Sequence, residues 1–403
     1  MTDPLLQARQ LFLTGIEHFG AARYAAAEEA FAAALKLVPG RPSVLGNLGI
    51  AKVHLDKFAE AVPLLRAAVA GDDDQPDAWR ALAIAQMELG RYTDAFESLE
   101  GARESGADPL AVRLLTAQCH ARGGAHAQGI ELYRGVLAEQ PDLPDAWTEL
   151  GHVLREARRY DEAGAAYTEA RARGGDAATL DYFLGAMQPQ AGAAVPEAPR
   201  AYVEKLFDDY AGDFDDHLVN KLGYTGHRML VERLPAAAPQ RFARVLDAGC
   251  GTGLIGPLIR PRSDVLVGMD LSAGMLEKAR ERGVYDRLDQ GDLTEYLARP
   301  QEPYDLVLVA DVFVYVGALD TVFQLLAERL VPGGWLAFTV EESKATEGNG
   351  VELLPSLRYA HRPDYLRRLA AAHGFEWVDS LKMALRYDQK QGIDGLCVFL
   401  RRT

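Results

Sequence analysis

The sequence has little cysteine, no excess of positive charge and no long apolar run. Its three cysteines, Cys119, Cys250 and Cys397, lie far apart and without metal-ligand spacing. That excludes a disulfide framework and makes a reducing compartment the natural setting. The formal net charge is −15, from 58 Asp and Glu against 43 Lys and Arg. A protein that gripped nucleic acid or a lipid surface non-specifically would carry a basic face, so both partner classes are set aside. No apolar stretch approaches a membrane span, and the opening Met1-Thr2-Asp3-Pro4 lacks a basic-then-apolar signal. The expectation is a cytoplasmic protein. No set of His, Asp and Glu has ligand spacing, so no metal is expected. The 403 residues leave room for two or three domains.

The first half is a repeat. Phe31, Leu65, Leu99, Tyr133 and Tyr167 recur at a step of 34 residues, and so do Ala27, Ala61, Ala95, Gly129 and Ala163. Ala34, Ala68, Ala102, Val136 and Ala170 keep the same step, and Trp79 and Trp147 are two steps apart. A small residue at one position and a bulky one four later is what two helices need to pack closely in a hairpin. Period and pattern are those of the tetratricopeptide (TPR) repeat. The frame gives units 8–41, 42–75, 76–109, 110–143 and 144–177, with Pro39 and Pro141 in the turns between units. Residues 178–187 read as the first helix of a further unit that caps the array, which then occupies 1–187. Its first helices should form a concave face bearing Asn47, His54, Arg80, Met87, Glu88, His152 and Arg155, mixed in charge. The array recruits a protein or peptide, dimerises the chain or shields a site. Spacing alone leaves these open.

From 188 to 200, Pro, Gly and Ala without periodicity mark a linker, and 201–403 is a second domain. Its centre is Val245-Leu246-Asp247-Ala248-Gly249-Cys250-Gly251-Thr252-Gly253. An apolar strand ends in a carboxylate, a glycine-rich turn follows, and then a helical pattern begins. Glycines there let a ligand approach the backbone, and free N–H groups at the helix start would favour polar or anionic ligands. About twenty residues on, Val265 to Asp270 is a second strand ending in a carboxylate suited to a ribose diol. Further strands at 304–311 and 336–341, separated by helical stretches, give the βαβα alternation of a doubly wound parallel sheet. Phe375–Arg386 and Gly395–Arg401 read as a closing antiparallel pair, and 342–354 as a loop forming part of an acceptor pocket.

Asp247 with Gly249, Gly251 and Gly253 resembles the first motif of class I S-adenosylmethionine-dependent methyltransferases. Gly251, Gly253 and Gly256 also fit a dinucleotide G-x-G-x-x-G frame. The acidic turn suits a sulfonium better than a pyrophosphate. The segment Leu206-Phe207-Asp208-Asp209-Tyr210 through Phe214-Asp215-Asp216-His217-Leu218, followed by Leu222-Gly223-Tyr224, is similar to the one preceding the core in bacterial methyltransferases that carry TPR repeats. The chain is thus identified as a member of that family: an all-α TPR solenoid followed by an α/β doubly wound, Rossmann-like domain.

The resemblance implies a lid over 201–226 that closes over S-adenosylmethionine and the acceptor. Tyr202 and Tyr210 would touch the cofactor; Phe214, Tyr224, Phe313 and Tyr315 would touch the acceptor. It further implies that Asp247, Gly249, Cys250, Gly251, Gly253, Asp270, Leu271, Met275, Asp292, Leu293 and Ala310 hold the cofactor, Asp292 at the adenine amino group. Methyl transfer from a sulfonium is an in-line substitution in which the protein mainly positions the reactants. A base is needed only where the acceptor must lose a proton, and His217 and His361 are the candidates, with Tyr315 and Asp311 as alternates. The sequence lacks the Asp/Asn-Pro-Pro-Tyr/Phe tetrapeptide of enzymes that methylate amide or base nitrogens, and the Pro-Cys nucleophile of pyrimidine C5 methylation. An enzyme acting on an oxygen or nitrogen atom is expected. The other reading is a scaffold whose second domain binds the cofactor without turnover.

Overall fold

The computed structural model describes residues 3–188, 195–210, 212, 214–215, 218, 222–388 and 391–403. It divides into two compact units, Met1–Gly175 and Asp176–Thr403.

The first unit is five helical hairpins. They pair α1 (Pro4–Gly20) with α2 (Tyr24–Leu37), α3 (Pro42–Val53) with α4 (Phe58–Gly71), and α5 (Pro76–Glu88) with α6 (Tyr92–Glu104). α7 (Pro109–Arg122) pairs with α8 (His126–Glu139), and α9 (Pro144–Glu156) with α10 (Tyr160–Ala172). Each first helix opens on a proline, at Pro4, Pro42, Pro76, Pro109 and Pro144, where the missing N–H would have had no helical partner. Small residues also recur on the first helices, opposite the bulky ones. A Cβ on Gly15 would stand 2.4 Å from Phe31, one on Gly49 2.5 Å from Leu65, and one on Gly151 2.4 Å from Tyr167. The 34-residue step is thus a lock between the two helices of each hairpin. Trp79 and Trp147 repeat one contact, their indole N–H groups donating to the carbonyls of Asp73 (3.0 Å) and Pro141 (2.8 Å).

The second unit begins with α11 (Ala177–Met187), the helix expected to cap the array. Tyr182 on it, fully buried, donates its hydroxyl to the Leu357 carbonyl at 2.5 Å, which fastens this helix to its own unit. After α12 (Arg200–Tyr210) and α13 (Gly226–Glu232) comes a sheet of nine strands among the described residues. These are β1 (Phe242–Ala248), β2 (Ser263–Asp270), β3 (Arg287–Gln290), β4 (Tyr304–Val309), β5 (Leu330–Glu342), β6 (Val351–Leu353), β7 (Tyr359–His361), β8 (Phe375–Asp388) and β9 (Gln391–Arg402). The order is β3-β2-β1-β4-β5-β7-β6, parallel from β3 through β7, with β9 antiparallel to β5 and paired to β8.

Successive residues of a strand face opposite layers. Leu246, Val267, Val307 and Leu336 join one buried layer, while Val245, Leu266, Leu306 and Trp335 join the other. That is why these strands read as unbroken apolar runs. Between the strands lie α14 (Gly256–Ile259), α15 (Ala273–Glu281), α16 (Leu293–Ala298), α17 (Asp320–Arg329) and α18 (Pro363–Ala372). α14 is a single turn continued by a 3-10 turn at Arg260–Arg262, shorter than the helix the sequence suggested. The expected 342–354 loop contains β6. None of the described residues forms a helix long and apolar enough to cross a membrane.

Candidate functional site

Chain order along the sheet reverses between β1 and β4, and the crevice beyond their carboxyl ends is where such sheets hold ligands. A cavity opens there, with about 1140 Å³ of space including its open mouth. Asp247, Gly249, Cys250 and Gly251 from β1 and its turn line it, together with Asp270 and Leu271 beyond β2. Asp292 and Leu293 close one side, Ala310, Asp311 and Tyr315 the other, and Phe207 and Phe214 overlie it.

The glycine turn is built by its φ angles, +71° at Gly249, +53° at Gly251 and +84° at Gly253, which side chains other than glycine rarely adopt. A Cβ on Gly249 would come within 2.2 Å of Val312, whereas one on Gly251 would meet only Phe214, at 3.9 Å across the cavity. Gly251 is therefore where a ligand reaches the backbone. Gly253 does not line the cavity; there a Cβ would meet Tyr285 at 3.0 Å and Arg282 at 3.1 Å, so its role is to close the turn. Four N–H groups of the turn are engaged within the protein. Gly249 and Cys250 donate to the Met269 carbonyl at 2.8 and 2.9 Å, Gly253 to Cys250 at 2.8 Å, and Gly251 to Asp270 Oδ2 at 2.7 Å. The N–H groups of Gly249, Cys250, Gly251 and Gly253 are thus closed to a ligand, while among the described residues those of Thr252, Leu254 and Ile255, which line the cavity at the helix start, meet no acceptor.

The two strand-end carboxylates are buried. Asp247 accepts from the Tyr285 hydroxyl at 2.6 Å through Oδ2, and its Oδ1 has no partner among the described residues. Burial pushes its carboxyl up to about 7, against the pull of Tyr285 and with the neighbouring Asp270 charge adding to the rise. Asp270 is also raised by burial, and N–H bonds from Ser272 (3.0 Å) and Gly251 hold it back. Such a pair favours a ligand carrying positive charge and hydroxyl donors. Asp292 caps α16, accepting from Thr294 (2.8 Å) and Glu295 (3.1 Å) through one oxygen only, so a ligand donor can still reach the other. Met275 is fully buried at the cavity wall.

Two carboxylates of the lid region clasp this framework. Asp208 accepts from the Ser272 hydroxyl at 2.5 Å and from Gly274 N–H at 3.3 Å. Asp215 accepts from the Thr252 hydroxyl and is paired with Arg282. On the opposite side, Asp311 holds a positive φ of +57°, with its N–H on Thr339 Oγ1 (2.8 Å) and its carboxylate 2.9 Å from Arg386. Arg386, almost fully buried, pairs also with Glu341.

Not every residue singled out in the sequence reaches the cavity. His217 lies outside the described residues. His361 is fully buried in β7, with Nε2 2.8 Å from the Gly317 carbonyl, and burial drives its pKa down to about 4. It is a core residue with no access to an acceptor, and the role of base is corrected accordingly. Phe313 also belongs to the core, 5.2 Å from the ring of Phe338. Tyr202 packs on Tyr182 and Phe183 at 5.8 and 5.3 Å, and Tyr210 is 39% exposed; neither lines the cavity, so neither touches a cofactor there.

Conversely, His227 at the start of α13 lines the cavity, its ring stacked on Tyr224 at 5.4 Å and its Nδ1 without a partner among the described residues. Burial, and next the Arg228 charge, lower its pKa and so favour the neutral imidazole. Its position three residues after Tyr224 was the one available signal. Arg386 and Glu341 carried none, being ordinary strand residues until the strands pair.

A Rossmann-like sheet whose crevice presents a glycine turn between two buried strand-end carboxylates defines a nucleoside-cofactor domain. Residues 224–380 match a methyltransferase domain family, and 12–76 and 53–119 match two tetratricopeptide-repeat families. The chain is therefore a tetratricopeptide-repeat protein with a methyltransferase domain. It is 34% identical over 168 residues to a malonyl-[acyl-carrier protein] O-methyltransferase of Enterobacter lignolyticus, covering 42% of this chain and 61% of that protein. It is 33% identical over 145 residues to a trans-aconitate 2-methyltransferase of Methylobacterium nodulans, covering 36% of this chain and 53% of that one. The chain thus spans about half to three-fifths of the length of these curated relatives. Among solved structures, magnesium protoporphyrin IX methyltransferase of Synechocystis PCC 6803 with bound SAM superposes with a TM-score of 0.40 at 17% identity, covering 53% of this chain and all of that one.

Proposed function

We propose that this chain is an S-adenosylmethionine-dependent methyltransferase acting on an oxygen or nitrogen atom. The observation that carries it is the cavity wall itself: Gly251 open to the ligand between the buried carboxylates of Asp247 and Asp270. A sulfonium nucleoside presents what that wall accepts, a positive charge and a ribose diol, and no phosphate. In this reading Asp270 takes the ribose hydroxyls, Asp292 and Leu293 the adenine edge, Met275 the ring face, and Asp247 the positively charged methionine end. The acceptor lies toward Asp311, Tyr315 and Tyr224, under Phe214. Relatives named as O-methyltransferases support oxygen as the accepting atom. The repeat array brings a protein or peptide to the site, or serves the chain in some other way if the acceptor is a small molecule.

Titration calorimetry with S-adenosylmethionine, S-adenosylhomocysteine and NAD tests the cofactor. Binding of the first two and not the third is expected; binding of NAD alone would restore the dinucleotide frame. Deleting residues 1–175, which leaves the second unit whole, separates the acceptor classes: turnover of a small acceptor persists, whereas a protein acceptor loses affinity.

A further inference from the structure

The cavity wall is acidic. Asp247, Asp270, Asp292 and Asp311 line it, and among its described lining residues the one Arg or Lys is Arg200, held 3.1 Å from Glu295 on α16. An anionic acceptor would meet four carboxylates and no unpaired cation, so the wall favours an acceptor that enters neutral. His227 lies in the same wall. Its ring stacks on Tyr224 with 24° between the planes, and both side chains are buried. Gly226 permits this stack, since a Cβ there would stand 2.7 Å from the Tyr224 hydroxyl oxygen. The Thr225 N–H, bonded to the Leu385 carbonyl at 3.3 Å, anchors this end of α13 to β8. Neither ring nitrogen of His227 has a hydrogen-bond partner among the described residues. Nδ1 is the nitrogen sealed from solvent, so Nε2 is the one that reaches the cavity. With the ring proton on Nδ1, Nε2 presents a lone pair there.

We infer that the methyl acceptor is a hydroxyl group and that Nε2 of His227 takes its proton during transfer. This rests on the methyl-transfer reading above and names its acceptor class and its base. The hydroxyl oxygen attacks the methyl carbon, the carbon–sulfur bond breaks with its electron pair going to sulfur, and the O–H proton passes to Nε2. A methyl ether, a neutral thioether and an imidazolium result. One positive charge has moved from sulfur to the ring, so the acidic wall stabilises the site before and after the step. The charges facing the imidazole are Arg228 and Glu232 on its own helix, Asp215 from the lid region and Arg282 following α15. An amine would enter as a second cation beside the sulfonium, on the side where Arg228 and Arg282 stand. The two alternates are engaged elsewhere: Asp311 by Arg386, and the Tyr315 oxygen by the Arg358 N–H at 3.2 Å.

The test is to incubate the full chain and methyl-tritiated S-adenosylmethionine with an extract of the cells the protein comes from, then sort the label chemically. Methyl ethers survive mild base and stay uncharged in acid, whereas methyl esters release volatile methanol and methylamines become cations in acid. Label of the ether kind is expected. Its rate should fall on the acid side, below about pH 6.5, as the imidazole takes up a proton. His227→Gln should form it about a hundredfold more slowly and without that acid limb, with melting temperature and S-adenosylmethionine affinity unchanged. Imidazole added to His227→Ala should restore part of the lost rate, a rescue that a merely structural histidine would not show. Ester or amine label would overturn the hydroxyl while leaving methyl transfer intact. Ether label formed by His227→Gln at the wild-type rate, with the acid limb kept, would overturn the assignment to His227. Cofactor binding with no labelled product would favour the scaffold and overturn this inference. Absence of cofactor binding would overturn the methyl-transfer reading itself.

Discussion

Tyr285 gives its hydroxyl proton to Asp247 Oδ2 at 2.6 Å, while Asp247 Oδ1, equally buried, has no partner among the described residues. A side chain 38 residues further along thus holds the first carboxylate of the glycine turn from behind, with its other oxygen unsatisfied. The unsatisfied oxygen is where a cationic ligand would be felt most.

The raised Asp247 carboxyl gives a pH signature. Folding favours its neutral form, so its contribution is undiminished below the unfolded value near 4 and is lost as pH rises through the folded value of about 7. The ligand-free protein should lose on the order of a few kcal/mol relative to Asp247→Asn between pH 5 and pH 8. Urea denaturation of both proteins across that range measures the gap; parallel curves would show that Asp247 ionises freely.

His361 titrates in the other direction. Its folded value near 4 lies below the unfolded one, so its contribution is complete above about 6.5 and is lost as pH falls toward 4. Acid melting of wild type against His361→Phe should show the wild type declining more steeply over that interval. Turnover per folded molecule is expected to be unchanged, because the imidazole faces Gly317 and not the cavity.

Gly249 and Gly251 should separate folding from binding. Gly249→Ala places a methyl group against Val312 at a positive φ, so the variant should melt several degrees lower. Gly251→Ala meets little protein; backbone strain of roughly 1–2 kcal/mol is expected, and the larger effect is loss of cofactor affinity. Calorimetry and thermal melts on the two variants decide, and equal loss of affinity relative to stability in both would reject the distinction.

Asp270→Ala should weaken S-adenosylmethionine by ~1–3 kcal/mol through a lost charge-assisted hydrogen bond. Because Asp270 also holds Gly251 and Ser272, some of the loss comes from a looser turn. Unchanged affinity on calorimetry would remove Asp270 from the ribose.

The clasp of Asp215 on Thr252 and Arg282 ties the lid region to the glycine turn. Asp215→Asn should speed cofactor dissociation several-fold in stopped flow with little change in melting temperature, since Asp215 is partly exposed.

The sequence by itself determined the repeat array, the order of sheet and helices, and the carboxylate–glycine–carboxylate wall. Those features are local. A 34-residue step between Gly15, Gly49 and Gly151 and their bulky partners recurs because each hairpin contacts mainly itself and its neighbours, and a tight turn writes its φ angles as glycines. Tertiary structure alone decided the rest. Helix 177–187 reads like another repeat helix, yet Tyr182 joins it to Leu357, 175 residues away. His361 looked like a base until β5, β6 and β7 enclosed it. Arg386 meets Asp311 across 75 residues and Glu341 across 45, because β9 brings β8 to the edge of β5. Buried charges find partners wherever strand pairing puts them, and no local pattern in the chain encodes that meeting.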